Sequence, residues 1–434
     1  MTGTLNANLV QRVRAEVAQQ LAATVGLQAD SGPRVERGRR LAADCLERYA
    51  KECLAAGRPL LDPSVEDSVI ATVLNSLFGL GGFQRYLDDQ EVEDVYANGH
   101  ECVWVRYAGG RLERGEPVAA SDAELVDILR EIAARSGMSE NRFDPGAPDL
   151  DLDLPDGSRL FAVMAVSRRP SVTIRCHRLL DVTLDELMHL HTVDAGLREL
   201  LGAMVLARRN IIVSGGASVG KTTLVRALAN EIPAEERVIT IEDPRELHLD
   251  LFPERHPNVV SLEVRRPNVE GVGAVTAVDL VRWALRMSPE RLLVGEVRGH
   301  EVVPMLNAFG EGKDGSMCTV HASSSSHAFD KLWTYAAQAP ERLSAEATAQ
   351  LIASTVHAVV HLVKVGDQRL VSSVREVVGV EGRQVLSNEI YRPGPNRAAV
   401  PTGVPLRQPT MDDLIAVGFD PAILDGLAMA GSWA

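Results

Sequence analysis

Apolar residues recur every fourth position through the first part of the chain. Leu9, Val13, Val17, Leu21 and Val25 form one stripe, Leu41, Cys45, Tyr49 and Cys53 a second, and Val69, Val73 and Leu77 a third. Such spacing puts each set on one face of a helix, so residues 1–80 are predicted to be a helical subdomain. A break is expected at Asp30-Ser31-Gly32-Pro33.

The period then shortens. Residues 103–107 read as a strand closed by a Gly109-Gly110 turn. Ser121 opens a helix, with Glu124 spaced for a capping box ahead of Leu125, Ile128, Leu129 and Ile132. Leu154-Pro155-Asp156-Gly157 is a turn between strands, and 171–175 is a further strand. Residues 81–185 are therefore predicted to form an α/β domain, with a linker near 180–195.

From 186 onward, short apolar runs at 210–214, 237–241, 259–264, 291–295 and 316–320 alternate with helical stretches. That arrangement predicts a mostly parallel, buried sheet. Residues 357–365, 370–380 and 384–391 read as an antiparallel meander, followed by a proline-bearing tail with a short helix around 411–417. The fold class is α/β, with a helical segment and a smaller α/β domain ahead of a larger domain over 186–434.

Composition narrows the function. Among 434 residues, 45% are hydrophobic and 24% charged, as in a globular chain. The net charge of −14 argues against a broad nucleic-acid surface, which needs clustered Lys and Arg, so no nucleic-acid partner is expected. Cys45, Cys53, Cys102, Cys176 and Cys318 form no CxxC pair, which disfavours a zinc ribbon or a disulfide framework and fits a reducing cytosol. Arg12, Arg14 and Glu16 interrupt the N-terminal apolar residues, so no signal peptide is expected. No run approaches the ~20 apolar residues of a membrane span. The expectation is a soluble protein that meets a membrane only through a partner.

The strongest chemical signal is Gly215-Gly216-Ala217-Ser218-Val219-Gly220-Lys221-Thr222, a GxxxxGKT followed by Thr223, between a strand and a helical run. Glycines let successive backbone N–H groups turn toward a polyphosphate, and the helix N-terminus adds its dipole. Lys221 is placed for the β/γ-phosphates and the Thr222 hydroxyl for Mg²⁺. Downstream, the strand at 291–295 leads into Glu296. In P-loop enzymes the neighbouring strand delivers an acid to the magnesium shell, and Glu296 is assigned that role. The run Glu242-Asp243-Pro244-Arg245-Glu246 puts three acids at another strand end, where ligand sites of open α/β sheets lie. His321 closes the last expected parallel strand at the same edge.

At these residues the chain resembles the type II/type IV secretion ATPase superfamily, most closely the branch that powers tight-adherence pili. The matching stretches are NIIVSGGASVGKTTLVRAL, RVITIEDPRELHL, RRPNVEGVGAVT, DLVRWALRMSPERLLVGEVRG and DGSMCTVHAS, in the family's order. In the first half the likeness rests on LDDQEVEDVYANG, LPDGSRLFAV and SVTIRCHR. The resemblance implies a RecA-like P-loop domain, ATP and Mg²⁺ as ligands, and a homohexamer at the cytoplasmic face of the membrane driving an integral-membrane platform protein. It implies Walker A roles for Lys221 and Thr222 and a Walker B role for Glu296. Glu246 becomes the acid that polarises water, with Glu242 and Asp243 in the same box. His321 becomes the γ-phosphate sensor, and Arg159 and Arg175 become phosphate-neutralising arginines. The family often has glycine and serine where this loop has Ser218 and Val219, which reduces backbone freedom. Two alternatives remain open at this point: an ATPase of DNA transfer or pilus retraction, and a nucleotide-binding scaffold with negligible turnover.

Overall fold

The computed structural model describes residues 2–22, 31–135, 142–176, 178–267 and 270–424. Val25, Asp30, His177 and the 268–269 portion of the connecting loop, all part of the sequence patterns above, lie outside the described residues. The chain divides into two compact units, Met1–Arg178 and Leu179–Ala434.

In the first unit, helices α1 (Thr2–Ala22), α2 (Ser31–Ala55) and α3 (Pro63–Leu77) carry the three stripes. Leu9, Val13, Val17 and Leu21 pack with Ala42, Cys45, Leu46, Val69 and Val73 in one buried cluster. Asp62 caps α3 by accepting from the Ser64 N–H, and Pro63 occupies the first turn, where its missing donor costs nothing. After a short α4 (Gln84–Leu87) come β1 (Val92–Asn98), β2 (Val103–Tyr107), β3 (Leu112–Arg114), α5 (Asp122–Arg135), β4 (Asp149–Asp153), β5 (Arg159–Val163) and β6 (Ser171–Arg175). The strands form an antiparallel sheet in the order β3-β2-β1-β6-β5-β4. Leu125, Leu129 and Ile132 of α5 bury against Val95, Val103, Leu160 and Ile174. Ser121 Oγ accepts from the Glu124 N–H at 3.1 Å, but the Glu124 carboxylate accepts from Ala120 N at 2.7 Å. The predicted capping box thus closes one residue further upstream.

The second unit opens with α6 (Leu184–His189) and α7 (Ala195–Leu206). Residues 180–195 are therefore not a plain linker. Thr183 and Glu186 make a reciprocal capping box, and Leu184 and Leu187 are buried, so a local helix forms there. Next come β7 (Ile211–Gly215), α8 (Lys221–Ala229), β8 (Val238–Glu242), β9 (Val259–Glu263), α9 (Ala277–Leu285) and β10 (Arg291–Val297). These are followed by α10 (Val302–Gly310), β11 (Met317–His321), α11 (His327–Gln338), α12 (Ala345–Thr355), β12 (Ala358–Val365), β13 (Gln368–Glu381), β14 (Gln384–Pro393), β15 (Ala399–Pro401) and α13 (Gln408–Ala416). All nine strands join one sheet, ordered β15-β14-β13-β12-β7-β11-β10-β8-β9.

Two sequence expectations change here. The strand beside β7 is β11, so β10 and its Glu296 stand one strand further away than the neighbouring position expected for them. β12, read as the first strand of an antiparallel meander, also pairs with β7 in parallel, so β11 is not the last parallel strand. The reason is the crossover: between β11 and β12 the chain passes through α11 and α12, which returns it to the same end of the sheet before it re-enters. Only β13, β14 and β15 run antiparallel from there. Ile211 and Val213 face one core, with Leu200 of α7 and Leu228 of α8; Ile212 faces the other, with Leu280, Leu306 and Leu332 of α9, α10 and α11. The domain is an α/β sandwich with a RecA-like P-loop sheet at its centre.

Candidate functional site

The site grows from the C-terminal edge of this sheet. β7 ends at Gly215, the chain loops through 216–220, and α8 begins at Lys221. Gly220 caps that helix with φ +94°, and a Cβ there would sit 3.3 Å from Arg369 Cδ. Ser218 also takes a left-handed φ of +57°, and its carbonyl accepts from Arg369 Nε at 3.3 Å. Val219, which replaces a small residue in the family pattern, is buried in the same core as Leu362 and so pins the loop from beneath. Gly220→Ala is expected to lower stability by about 1–2 kcal/mol, the cost of a side chain in left-handed backbone. A thermal melt without nucleotide checks this; an unchanged midpoint contradicts it.

Lys221 Nζ donates to the Gly216 carbonyl at 2.7 Å and lies 3.3 Å from His321 Nδ1. Burial lowers the Lys221 pKa, while Glu296 and Glu246 oppose that shift. His321 is registered directly against Gly215, which is why a residue 100 positions away reaches the loop. Its Nε2 is 2.8 Å from Glu296 Oε1, and the other Glu296 oxygen pairs with Arg298 Nη2 at 2.7 Å. Burial depresses the His321 pKa, while the Glu296 carboxylate opposes that shift.

The acidic box splits into two roles. Glu246 Oε2 accepts from Thr222 Oγ1 at 3.0 Å, which brings it to the phosphate loop. Glu242 is turned the other way. One of its oxygens accepts from the N–H groups of Glu246 at 2.6 Å and Leu247 at 2.7 Å, and the other from Thr240 Oγ1 at 2.8 Å. Burial pushes its pKa up to about 7. Glu242 therefore braces the segment that carries Glu246. The Asp243 carbonyl accepts from Arg298 Nη1 at 3.3 Å.

A family model described as "Type II/IV secretion system protein" matches residues 80–393. The chain belongs to the Type II/IV secretion system protein family. It is 34% identical over 255 residues to a Mycobacterium tuberculosis protein named "Putative conjugal transfer protein", covering 57% of this chain and 70% of that one. It is 31% identical over 292 residues to the protein VirB11 of Agrobacterium fabrum, covering 60% and 81%. Among solved structures, the VirB11 ATPase of the Brucella suis type IV secretion system, in complex with sulphate, shares 30% identity over 68% of this chain and 92% of its own, with a TM-score of 0.37.

In this secretion-family chain, the loop 215–223, Glu246, Glu296 and His321 converge at one edge. Arg159 and Arg175 belong to the first unit, where they stand directly opposite each other on β5 and β6. Arg159 is bidentate to Asp151 at 3.0 and 2.8 Å, and Arg175 is 3.5 Å from Asp94. Several supporting residues carried no signal in the sequence. Arg226, on α8, donates through Nε and Nη2 to the Glu246 carbonyl and through Nη1 to the Leu179 carbonyl at 2.7 Å. Burial lowers its pKa to about 10. His361 on β12 meets Ser214 Oγ at 2.9 Å just before the loop, and burial lowers its pKa to about 4.

Proposed function

We propose that this chain hydrolyses ATP and is the motor subunit of a homohexameric ring that drives pilus assembly or secretion. The observation that carries this reading is the convergence of Lys221, Thr222, Glu246, Glu296 and His321 at one sheet edge. The loop amides and the α8 N-terminus receive the polyphosphate. Lys221 exchanges the Gly216 carbonyl for β- and γ-phosphate oxygens. Glu246 orients the attacking water in line with the γ-phosphate and accepts its proton, and Arg226 and Glu242 hold the backbone that carries it. His321 lies between Lys221 Nζ and the Glu296 carboxylate, so a change at the γ-phosphate that moves Lys221 is passed through the imidazole to Glu296 and Arg298.

The Thr222 hydroxyl and the Glu296 carboxylate, with Glu246 beside them, are hard oxygen donors that fit Mg²⁺. Bound there, the ion would neutralise charge on the β- and γ-phosphates. Phosphate release from the full-length chain with ATP and magnesium is the direct test, and no release above buffer sinks the reading.

The partner proposed is an integral-membrane platform protein at the cytoplasmic face of the cell membrane; among the described residues no helix is long and apolar enough to cross a membrane. Within the family, the motif stretches in both halves of the chain favour the tight-adherence branch. DNA transfer is a second reading, supported by the relative named for conjugal transfer. The genes on either side discriminate the two. For the ring, non-hydrolysable ATP analogues are expected to shift the chain toward hexamers in light scattering. A monomer at every concentration, with and without analogue, contradicts it.

A further inference from the structure

The connection 322–326 between His321 and α11 holds four consecutive serines, and each is used differently. Ser323 Oγ meets His327 Nδ1, while Ser324 Oγ meets Ser326 Oγ at 2.9 Å and accepts from His327 N at 3.1 Å. Ser325 turns inward and is buried. Its Oγ lies 2.8 Å from Ser373 Oγ and accepts from Arg375 Nε at 2.9 Å. Ser373 Oγ in turn donates to Glu389 Oε1 at 2.9 Å, and that oxygen is 3.1 Å from Arg375 Nη2.

The donors fit only one direction. The guanidinium has no acceptor, so Ser325 accepts from it and donates to Ser373, which donates to the carboxylate. The carboxylate pairs back with the guanidinium and closes the ring. Ser325 and Ser373 are buried, where leaving a hydroxyl unpaired is costly, while Arg375 and Glu389 are partly exposed. The ring joins the His321 connection to β13 and β14. Outside the ring, Ala322 N donates to the Gly215 carbonyl at 3.3 Å, and His361, which meets Ser214 Oγ, is registered opposite Ser373.

We propose that Arg375 and Glu389 are positioning residues for His321. They fix Ser325, and through it the backbone that aims the His321 ring between Lys221 and Glu296. The inference rests on the ATPase reading of the site. Phosphate binding is carried by the loop amides and Lys221, so loosening this anchor slows turnover and spares affinity.

The test uses the full-length chain with Arg375→Met, Ser325→Ala and Arg375→Lys. Arg375→Met and Ser325→Ala are expected to lower kcat by about 10- to 100-fold, the effect of a misplaced catalytic group. The Kd for a fluorescent ATP analogue should stay within about twofold, because the loop that binds phosphate is untouched. Arg375→Lys, which keeps the charge, should recover part of the loss. In a His321→Ala background, Arg375→Met should have no additional effect on kcat, because the two act as one unit. Backbone amide exchange across 321–327 should quicken in Arg375→Met. Additive loss in the double mutant, or equal loss of affinity and kcat, overturns the proposal. If the wild type releases no phosphate, the proposed function fails by itself. The anchor is then judged by exchange alone, and unchanged exchange across 321–327 overturns it. Ser325→Ala removes one hydroxyl only and serves if Arg375→Met does not fold.

Discussion

Lys221→Ala is expected to lower ATP turnover by at least about 10²–10³-fold, the range for removing one preorganised charge-stabilising group. The ammonium is held 2.7 Å from a loop carbonyl and close to His321, where little water competes for it. A polyphosphate replaces that carbonyl with several negative oxygens, so the lysine gains most when nucleotide is bound and more as charge develops on the leaving oxygen. The fold should survive, because the substitution removes a desolvated charge rather than a core contact. ATP-analogue titration, phosphate release and a thermal melt of both proteins check the three parts. Equal hydrolysis by wild type and variant would remove Lys221 from the site.

Glu246→Gln separates binding from chemistry. The amide keeps one acceptor oxygen for Thr222 but loses the charge and nearly all basicity. ATP should bind at least as well as to the wild type, since a carboxylate near the γ-phosphate repels it. Single-turnover hydrolysis should fall by about 10²–10⁴-fold, the usual loss for a general base. Glu242→Gln should behave differently. Its carboxylate receives two backbone N–H groups on one oxygen, and an amide that places an NH₂ near either donor leaves them unpaired. The variant should therefore melt earlier and hydrolyse slowly through a displaced Glu246. Glu296→Gln should alter the magnesium dependence as well as the rate. A Glu246→Gln protein with normal hydrolysis beside a well-folded, inactive Glu242→Gln protein would move the water-activating role to Glu242.

The parts of this protein legible in the sequence are those whose physics is local. The strand, loop and helix around 215–223 are consecutive in the chain, so all three could be read directly. Helical faces repeat at short spacing, and the N-terminal stripes and α5 follow from that alone. The capping pair Thr183 and Glu186 was equally local and marks the helix inside the expected linker.

What the tertiary structure decided depends on pairing between distant segments, which periodicity does not encode. Alternation and apolar runs identify strands without ordering them, so the insertion of β11 between β7 and β10 and the parallel entry of β12 emerged only from the folded sheet. Glu242 and Glu246 share one acidic run, and their chemistry is distinguishable only by direction. The chain turns at the end of β8 so that one carboxylate is closed over by backbone N–H groups while the other reaches Thr222. Arg226 beneath Glu246, His361 beside Ser214 and the Arg375–Glu389 anchor behind His321 likewise join residues far apart in the chain. The burial of Arg226, His361, Ser325 and Ser373 obliges each polar group to find a partner, and only the packed fold determines which partner is within reach.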